Sequence, residues 1–153
     1  MFVEIRRKDK ELNINESKEI LAKGDYGVLS TINEENYPYG VPLNYAYYDD
    51  YIYFHSAIEG HKLMNIYNNS KISFCVVSYA KIIPEEFDTR YKSVIIFGNV
   101  KEVFDDEKEK GFYALLEKYS KDFIEEGKKY IEKMGNEARV FKIHIEHITG
   151  KTQ

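Results

Sequence analysis

The stretch Ile52-Tyr-Phe-His-Ser-Ala-Ile-Glu-Gly-His-Lys-Leu-Met-Asn-Ile66 decides how the rest of the chain is interpreted. Its first four residues are aromatic or β-branched and predict a strand, which ends at small residues that let the backbone turn. From His61 the apolar residues recur at helical spacing, so a helix is predicted directly after the turn. The first turn of a helix carries unpaired N–H groups and the positive end of the helix dipole. With Lys62 and the Ser56 hydroxyl close by, this junction predicts a phosphate-binding site.

A simpler interpretation of the same junction requires no ligand. Strand–turn–helix junctions with a lysine are common, so Lys62 could be a surface helix residue and Ser56 a turn residue. A strand histidine such as His55 more often pairs with polar neighbours than takes part in catalysis. Spacing alone slightly favours this interpretation.

Length and composition predict one small domain that is not basic. The chain has 153 residues, a mass of 18.1 kDa and a net charge of −4, with both signs of charge interspersed. This gives no electrostatic case for binding nucleic acid or an anionic membrane. Cys75 is the single cysteine, which excludes an internal disulfide and fits a reducing compartment. No stretch approaches the ~18 apolar residues of a membrane helix and the N-terminus does not resemble a signal peptide, so we expect residues 1–153 to form one cytoplasmic domain.

Alternation and turn residues predict six strands. They span 25–32, 37–48, 52–55, 71–78, 91–104 and 138–148, with a turn at 33–36 and a longer loop at 79–90. Helices are predicted between an Asn13 or Asn15 cap and Gly24, from 61 to a stop at 68–70, after an Asp105 or Asp106 cap, and over 121–134. The pattern predicts a mainly β fold, a six-stranded antiparallel barrel with peripheral helices.

Prolines and one glycine disturb the predicted strands. Pro38 and Pro42 cannot donate to a strand ladder, so part of the strand 37–48 is expected to be an edge or to be bulged. An unpaired edge beside 43–45 is a place where a planar ligand could hydrogen-bond the main chain. Gly98 marks a bulge or a bend in the longest strand.

The remaining chemistry-bearing residues predict neither a metal centre nor covalent catalysis. His144 and His147 are three apart on a strand, so alternation is expected to send them to opposite faces, where they cannot share an ion. His55 and His61 have no further ligand at a suitable spacing. Cys75 lies between apolar residues, which is typical of a buried structural cysteine. The sequence contains no Gly-x-Ser-x-Gly elbow, no GxGxxG and no Walker motif.

Three segments in order carry a resemblance to a known family. They are Gly40-Val-Pro-Leu-Asn-Tyr-Ala-Tyr47, Ile52-Tyr-Phe-His-Ser-Ala-x-x-Gly-His-Lys62 and Tyr91-Lys-Ser-Val-Ile-Ile-Phe-Gly98. The chain resembles the pyridoxamine 5′-phosphate oxidase-like superfamily over residues 27–151, and most of all its nitroimidazole-resistance branch. The resemblance implies a split β-barrel of FMN-binding type that dimerises and holds FMN at the dimer interface. The end of the chain, 148–153, lacks the Arg-rich substrate clamp of the vitamin-processing oxidases, so the resemblance does not imply pyridoxamine phosphate as the substrate.

The same resemblance implies roles for individual residues. The residues along the isoalloxazine, partly through backbone groups, would be Pro42, Leu43, Asn44 and Tyr45. The residues at the ribityl and phosphate end would be Phe54, His55, Ser56 and Ala57, with Lys62 paired to the phosphate. The segment that reaches the flavin from the partner subunit would contain Tyr91, Ser93 and Val94.

Three hypotheses about function follow. The first is a homodimeric FMN-dependent oxidoreductase that reduces a small aromatic or nitroaromatic compound with electrons from a nicotinamide or protein donor. Because the flavin carries the redox step, no acid–base pair is required, and His55 is the candidate for an ancillary proton donor. The second is a flavin- or haem-binding storage or sensor protein without turnover, and the third is an empty barrel that serves as an interaction module. The sequence does not distinguish the first two.

Overall fold

Eight strands form one antiparallel sheet in the computed structural model, which describes residues 1–153. The strands are β1 (Glu11–Leu12), β2 (Gly27–Ile32), β3 (Pro38–Leu43), β4 (Ala46–Tyr48), β5 (Tyr51–Ala57), β6 (Lys71–Ile83), β7 (Asp88–Val103) and β8 (Ala138–Thr152). The helices are α1 (Ile14–Lys23), α2 (His61–Asn68), α3 (Asp105–Tyr119) and α4 (Ile124–Met134). Short 3-10 turns lie at Lys8–Lys10, Pro84–Glu86, Lys121–Phe123 and Gly135–Glu137.

The two edge strands of the sheet, β3 and β4, are consecutive in the chain, so the sheet must curl to bring them together. The strand order is β3-β2-β6-β7-β8-β5-β4, and β1 pairs with the end of β8. Only Asn44 and Tyr45 separate β3 from β4, and the three Cα–Cα steps between these strands span at most about 11 Å. The two ends of the sheet therefore meet at this corner. The predicted split antiparallel barrel is confirmed, but it has eight strands and not the predicted six. The predicted strand 37–48 is two strands, because the chain turns the corner at Asn44, and the short β1 was not predicted.

Alternate residues of the strands fill the barrel with one apolar core. This interior cluster consists of Ile20, Leu21, Leu29, Tyr45, Ile52, Phe54, Leu63, Ile66, Ile72, Phe74, Val76, Val94, Ile96, Val100, Phe141 and Ile143. A second cluster lies on the outer side of β5 and β8, where α3 packs, and consists of Tyr53, Val103, Phe112, Ala138 and Val140. Gly111 permits this close packing, because a Cβ at that position would lie 2.6 Å from Cγ1 of Val140.

Polar contacts cap α1 and attach α2 to the barrel. Asn13 is the cap of α1, where its side chain accepts from the Glu16 N–H and the Glu16 carboxylate accepts from the Asn13 N–H. The other predicted cap, Asn15, lies inside the helix. The side-chain amide of Asn65 on α2 donates to Oγ1 of Thr31 on β2 at 3.0 Å, and both residues are buried. This bond fixes α2 relative to β2.

Residues 79–90 form strands and not the predicted loop. β6 continues to Ile83 and β7 begins at Asp88, and the two are paired along this length. A 3-10 turn closes the hairpin, and Phe87 follows it with a left-handed φ of 52°. Most side chains of this arm are exposed, so the sequence lacks the alternation that marks a half-buried strand.

The predicted side-chain cap of α3 is wrong. Phe104 occupies the N-cap position, and no side chain caps the helix. Asp105 is the first helical residue, with a φ of 53°. Asp105, Asp106 and Glu107 still favour the helix start, because acidic groups in the first turn complement the helix dipole.

Gly98 lies opposite a bulge, as predicted. The register between β7 and β8 passes from Phe97–His147 to Gly98–Ile145, which leaves Glu146 as the extra residue. A Cβ on Gly98 would overlap the carbonyl oxygen of His144. Glycine is therefore required by the close approach of the two strands.

The bulge also overturns the prediction that His144 and His147 face opposite sides. His144 pairs with Asn99 and His147 pairs with Phe97, and these two partners are two residues apart on β7. Both imidazoles therefore lie on the outer face of the sheet. The prediction assumed unbroken alternation, which the extra residue resets. No group of three or more His, Cys, Asp or Glu side chains is placed to hold a metal, and none of the helices combines the length and apolar character needed to cross a membrane.

Candidate functional site at the split of the barrel

The split of the barrel is bordered by the segments that carry the sequence motifs. β4 pairs only with Tyr51–Tyr53 of β5, so residues 54–57 have no strand partner on that side. The other border is β3, which pairs with β2 alone. The helix α2 begins next to this opening, where the His61 ring stacks on the Tyr39 ring of β3 with centroids 4.1 Å apart. The segments 38–44 and 54–57 and the first turn of α2 therefore surround one opening.

The prolines of β3 occupy positions whose backbone groups face the open edge. The Asn33 N–H donates to the Tyr37 carbonyl at 3.0 Å, and hydrogen-bonded pairs alternate from there along an antiparallel ladder. The odd-numbered residues of β3 therefore bond β2, and the backbone groups of Pro38, Gly40 and Pro42 face outward. This confirms the predicted edge. The outward edge of β3 presents the carbonyl groups of Pro38, Gly40 and Pro42 as acceptors. Its only N–H donor between the two prolines is that of Gly40, because proline has no N–H.

The start of α2 has the features of an anion site. Gly60 is its N-cap, with a φ of 150°, and no side chain caps the helix, so the first N–H groups lack a side-chain partner. Lys62 lies in this first turn, is half-buried and forms no ion pair. Nearby in the chain, Oγ of Ser56 is buried without a hydrogen-bond partner. An unsatisfied buried hydroxyl costs roughly 1–3 kcal/mol, and a phosphate oxygen could accept its hydrogen. These residues fit the phosphate group of a flavin nucleotide.

His55 projects from the opposite face of β5. Phe54 and Ser56 are buried on the interior side, whereas His55 points outward with its ring centroid 6.2 Å from that of Phe112 on α3. Loss of water on this side lowers the pKa of His55 below its usual value, and the ammonium group of Lys62 lowers it further. His55 is therefore neutral at pH 7 and offers one N–H donor and one nitrogen acceptor.

The other predicted contact residues fall into two groups. The side chains of Tyr45, Phe54 and Val94 are completely buried in the interior core. These residues can reach a ligand only through backbone groups. The exposed or half-buried residues at the opening are Pro42, Leu43, Asn44 and Ala57.

Tyr91 and Ser93 lie on β7, in the middle of the strand order. Within one chain the fold does not bring them to β3 or β5, which border the split. They can contribute to a ligand at the split only from a second copy of the chain.

Arg139 is a neighbour of the site that the sequence did not reveal. It lies opposite Ser56 on the β5–β8 ladder. Its Nε donates to the carbonyl oxygen of Ile58 at 3.0 Å, and its Nη1 pairs with Glu102 at 3.1 Å. Arg139 thereby holds the turn between β5 and α2 against β8. Only the strand register places this lone arginine beside Ser56, so no local signal could have identified it.

The end of α3 holds the corner at Asn44 and Tyr45. The Tyr119 hydroxyl lies 3.1 Å from the Tyr45 nitrogen, whose N–H it accepts, and 2.7 Å from the carbonyl oxygen of Asp25, to which it donates. Lys118 donates to the Tyr45 carbonyl at 2.9 Å, and its ammonium group lies 3.6 Å from the centroid of the Tyr45 ring. Burial lowers the pKa of Lys118 to about 8. The helix α3 therefore positions Asn44, a residue that the resemblance assigns to the flavin ring.

Comparison with known families identifies the family of the chain. A model of the family described as pyridoxamine 5′-phosphate oxidase matches residues 13–152. The chain belongs to the pyridoxamine 5′-phosphate oxidase family. The match includes both borders of the split, α2 and the last strand. Proteins of this family bind flavins.

Solved structures share the fold at low identity. A candidate 5-nitroimidazole antibiotic resistance protein from Bacteroides thetaiotaomicron is 22% identical with a TM-score of 0.76, covering 93% of this chain and 86% of that one. An FAD-binding protein from Mesorhizobium loti is 22% identical with a TM-score of 0.69, covering 94% and 95%. An FAD- and haem-binding protein from Mycobacterium smegmatis is 15% identical with a TM-score of 0.78, covering 94% and 73%. No curated protein matches the chain. These likenesses show the fold of the family.

Proposed function

We propose that this protein is an FMN-dependent oxidoreductase that acts as a homodimer on a small aromatic or nitroaromatic compound, with electrons from a nicotinamide or protein donor. The observation that carries the proposal is the buried, unpartnered hydroxyl of Ser56 beside an uncapped helix start that bears Lys62. Membership of a flavin-binding family supports it. The single free cysteine, Cys75, supports a reducing, cytoplasmic location.

The two borders of the split bind different parts of the flavin in this proposal. Lys62, Ser56 and the first N–H groups of α2 hold the phosphate group. The outward carbonyl groups of Pro38, Gly40 and Pro42 accept hydrogen bonds from donors on the ring. FMN supplies the two-electron chemistry when it is bound. The chain's own residues bind and orient the flavin, and His55, at the ribityl end, is the candidate for an ancillary proton donor.

Lys62→Ala tests the phosphate contact. Loss of a charge-assisted contact should weaken FMN binding roughly 10-fold or more. The measurement is a fluorescence titration of FMN, repeated with riboflavin, which lacks the phosphate and should lose no affinity in the variant. Lys71→Ala, at an exposed lysine just after α2, and His144→Ala, on the outer face of β8, should leave both affinities unchanged. Equal FMN affinity in Lys62→Ala and wild type would show that Lys62 does not contact the phosphate.

A non-catalytic flavin- or haem-binding protein is the second candidate. It is favoured by the absence of a coupled acid–base pair at the split and by the binding partners named for the Mycobacterium smegmatis neighbour. Reduction of the FMN-loaded protein by NADH or NADPH, with and without a nitroaromatic acceptor, separates the two. Turnover of the acceptor supports the oxidoreductase. Reduction by neither nucleotide, together with tight binding of haem, supports the second candidate.

A further inference from the structure

A cleft of about 290 Å³ opens beside the split, between the outer face of β5 and the helices α3 and α4. Its apolar wall is formed by Phe112, Leu115, Leu116, Ile131 and Met134. Two residues from the borders of the split, Asn44 and His55, also line it. Because Asn44 comes from the corner between β3 and β4 and His55 from β5, the cleft adjoins the split that is the proposed flavin site.

The cleft contains no charged side chain. Its remaining lining residues are Tyr119, Ser120 and Tyr130. The neighbouring cleft of about 460 Å³, on the other side of the contact between α3 and α4, is instead lined by five charged residues, Asp106, Glu109, Lys110, Lys128 and Glu132. A charged compound would lose hydration in the first cleft without gaining an opposite charge from its lining. Lys62, whose ammonium group acts on His55, is assigned to the flavin phosphate in the proposed site.

The polar groups of the cleft suit a neutral ligand that accepts and donates few hydrogen bonds. His55 forms no side-chain hydrogen bond and is neutral at pH 7, because packing against α3 lowers its pKa. The Asn44 amide nitrogen donates to the Asp25 carbonyl at 3.2 Å, which leaves its oxygen as an acceptor. A volume of about 290 Å³ suits a compound of one or two rings.

One wall of the cleft is able to adapt. The helix α4 supplies Tyr130, Ile131 and Met134, yet none of its eleven residues is buried. A helix that contributes no buried residue can shift at low cost. The cleft can therefore accept rings of different size.

We propose that this cleft binds the substrate of the flavin site, and that the substrate is a small, uncharged, planar aromatic compound. The proposal rests on the proposed function, since it takes the split as the flavin site. It goes beyond that function in placing the substrate under α3 and α4, with His55 and Asn44 as its polar contacts.

Methionine methyl groups provide the test. The chain has three methionines, of which Met134 lines the cleft, whereas Met1 and Met64 are exposed elsewhere. In FMN-loaded protein carrying ¹³C-methyl methionine, nitrobenzene should shift the Met134 methyl signal saturably and leave Met64 unchanged. The anion 4-nitrobenzoate should bind at least about 10-fold more weakly. Equal shifts at Met64 and Met134, or equal affinity for the two compounds, would overturn the proposal.

A blocking variant and its matched control sharpen the test. Ile131→Trp should fill the cleft and weaken nitrobenzene binding about 10-fold or more, whereas Lys133→Trp, on the exposed side of α4, should have no effect. If Ile131→Trp does not fold, the comparison of neutral and anionic compounds on the wild type still decides. Full affinity in folded Ile131→Trp contradicts the proposal.

Repeating the titration without FMN separates this inference from the proposed function. Failure of FMN to bind, with nitrobenzene still saturating the Met134 shift, rejects the flavin site but keeps the cleft as an aromatic-binding site. FMN that itself shifts Met134 and displaces nitrobenzene shows that the flavin occupies the cleft. That result rejects the substrate assignment while the flavin site stands.

Discussion

Ser56 and His55 are adjacent in sequence but have different surroundings, because a strand sends successive side chains to opposite faces. The Ser56 hydroxyl is buried on the interior side without a partner, whereas His55 projects outward beside Phe112 of α3 and is exposed. The motif that contains both residues therefore places one polar side chain on each face of β5. In the proposed site Ser56 and Lys62 bind the phosphate group, and His55 lies at the same ribityl and phosphate end on the other face of β5.

The lowered pKa of His55 predicts a pH dependence of stability. The unfolded chain binds a proton near pH 6.5, whereas the folded chain binds it only at lower pH. The unfolded state therefore holds more protons between these two values, and the stability contributed by neutral His55 is complete above about pH 6.5 and is lost as the pH falls through the folded pKa.

Urea denaturation of the wild type and of His55→Phe at several pH values measures this effect. The wild type should lose stability relative to the variant as the pH falls below about 6.5. Parallel curves for the two proteins would contradict the lowered pKa. In a separate NMR titration, bound FMN should raise the pKa of His55, because a phosphate dianion near Lys62 favours the imidazolium form.

Gly98→Ala should destabilise the protein by roughly 1–3 kcal/mol. The added Cβ overlaps the backbone carbonyl of His144, which cannot move without disturbing the bulge. Gly40→Ala is the matched control, since a Cβ there would lie 3.4 Å from Val28 Cγ1, an ordinary contact. Thermal or urea unfolding measures both, and a similar small change in the two variants would show that the strands at Gly98 can separate.

At the scale of elements, α3 holds the corner between β3 and β4 in place. Phe112 of α3 packs on the outer face of β5 and β8. The last turn of α3 bonds the backbone at Tyr45 through Lys118 and Tyr119. The helix thus connects the second core cluster to the corner at Asn44 and Tyr45. A change at its C-terminal end should reach the ligand without contacting it directly.

Tyr119→Phe should reduce both stability and FMN affinity. The variant removes the partner of the part-buried Tyr45 N–H and of the exposed Asp25 carbonyl, at a cost of roughly 0.5–1.5 kcal/mol. Tyr113→Phe on the same helix is the control, because the Tyr113 hydroxyl bonds only the exposed Glu117. Urea unfolding and FMN titration are the measurements. Loss of stability with unchanged FMN affinity would separate this corner from the ligand.

At the scale of the molecule, the outer face of β6 and β7 is unusually apolar for a surface. Val77, Ile95 and Phe97 project from it and are 53%, 44% and 37% exposed. The predicted flavin residues Tyr91 and Ser93 lie on the same strand, β7, as Ile95 and Phe97. A second copy that covers this face could bring them to the split of its neighbour, which supports the proposed homodimer.

Ile95→Glu tests that interface. A carboxylate at the centre of the apolar face should shift the protein towards the monomer and weaken FMN binding, because it places an unpaired charge in the contact. Ile14→Glu, at an exposed isoleucine on α1, should change neither. Sedimentation velocity measures the mass of each variant. A monomeric wild type, or a dimer unaffected by Ile95→Glu, would reject this face as the interface.

The sequence by itself determined the features that depend on neighbours along the chain. The cap at Asn13 or Asn15, the strand–turn–helix junction at 52–66, the proline-marked edge and the bulge at Gly98 are all confirmed, because each is a local property of a few residues. The motif order also identified the family, which the match over 13–152 confirms.

Only the tertiary structure decided how distant strands are matched. The extra residue Glu146 places His144 and His147 on one face of the sheet. The strands at 79–90 were not predicted, because most of their side chains are exposed and show no alternation. Register likewise placed Arg139 opposite Ser56, and packing of α3 and α4 formed the cleft against His55. Register and helix docking are set by contacts between residues far apart in sequence, so no local pattern records them.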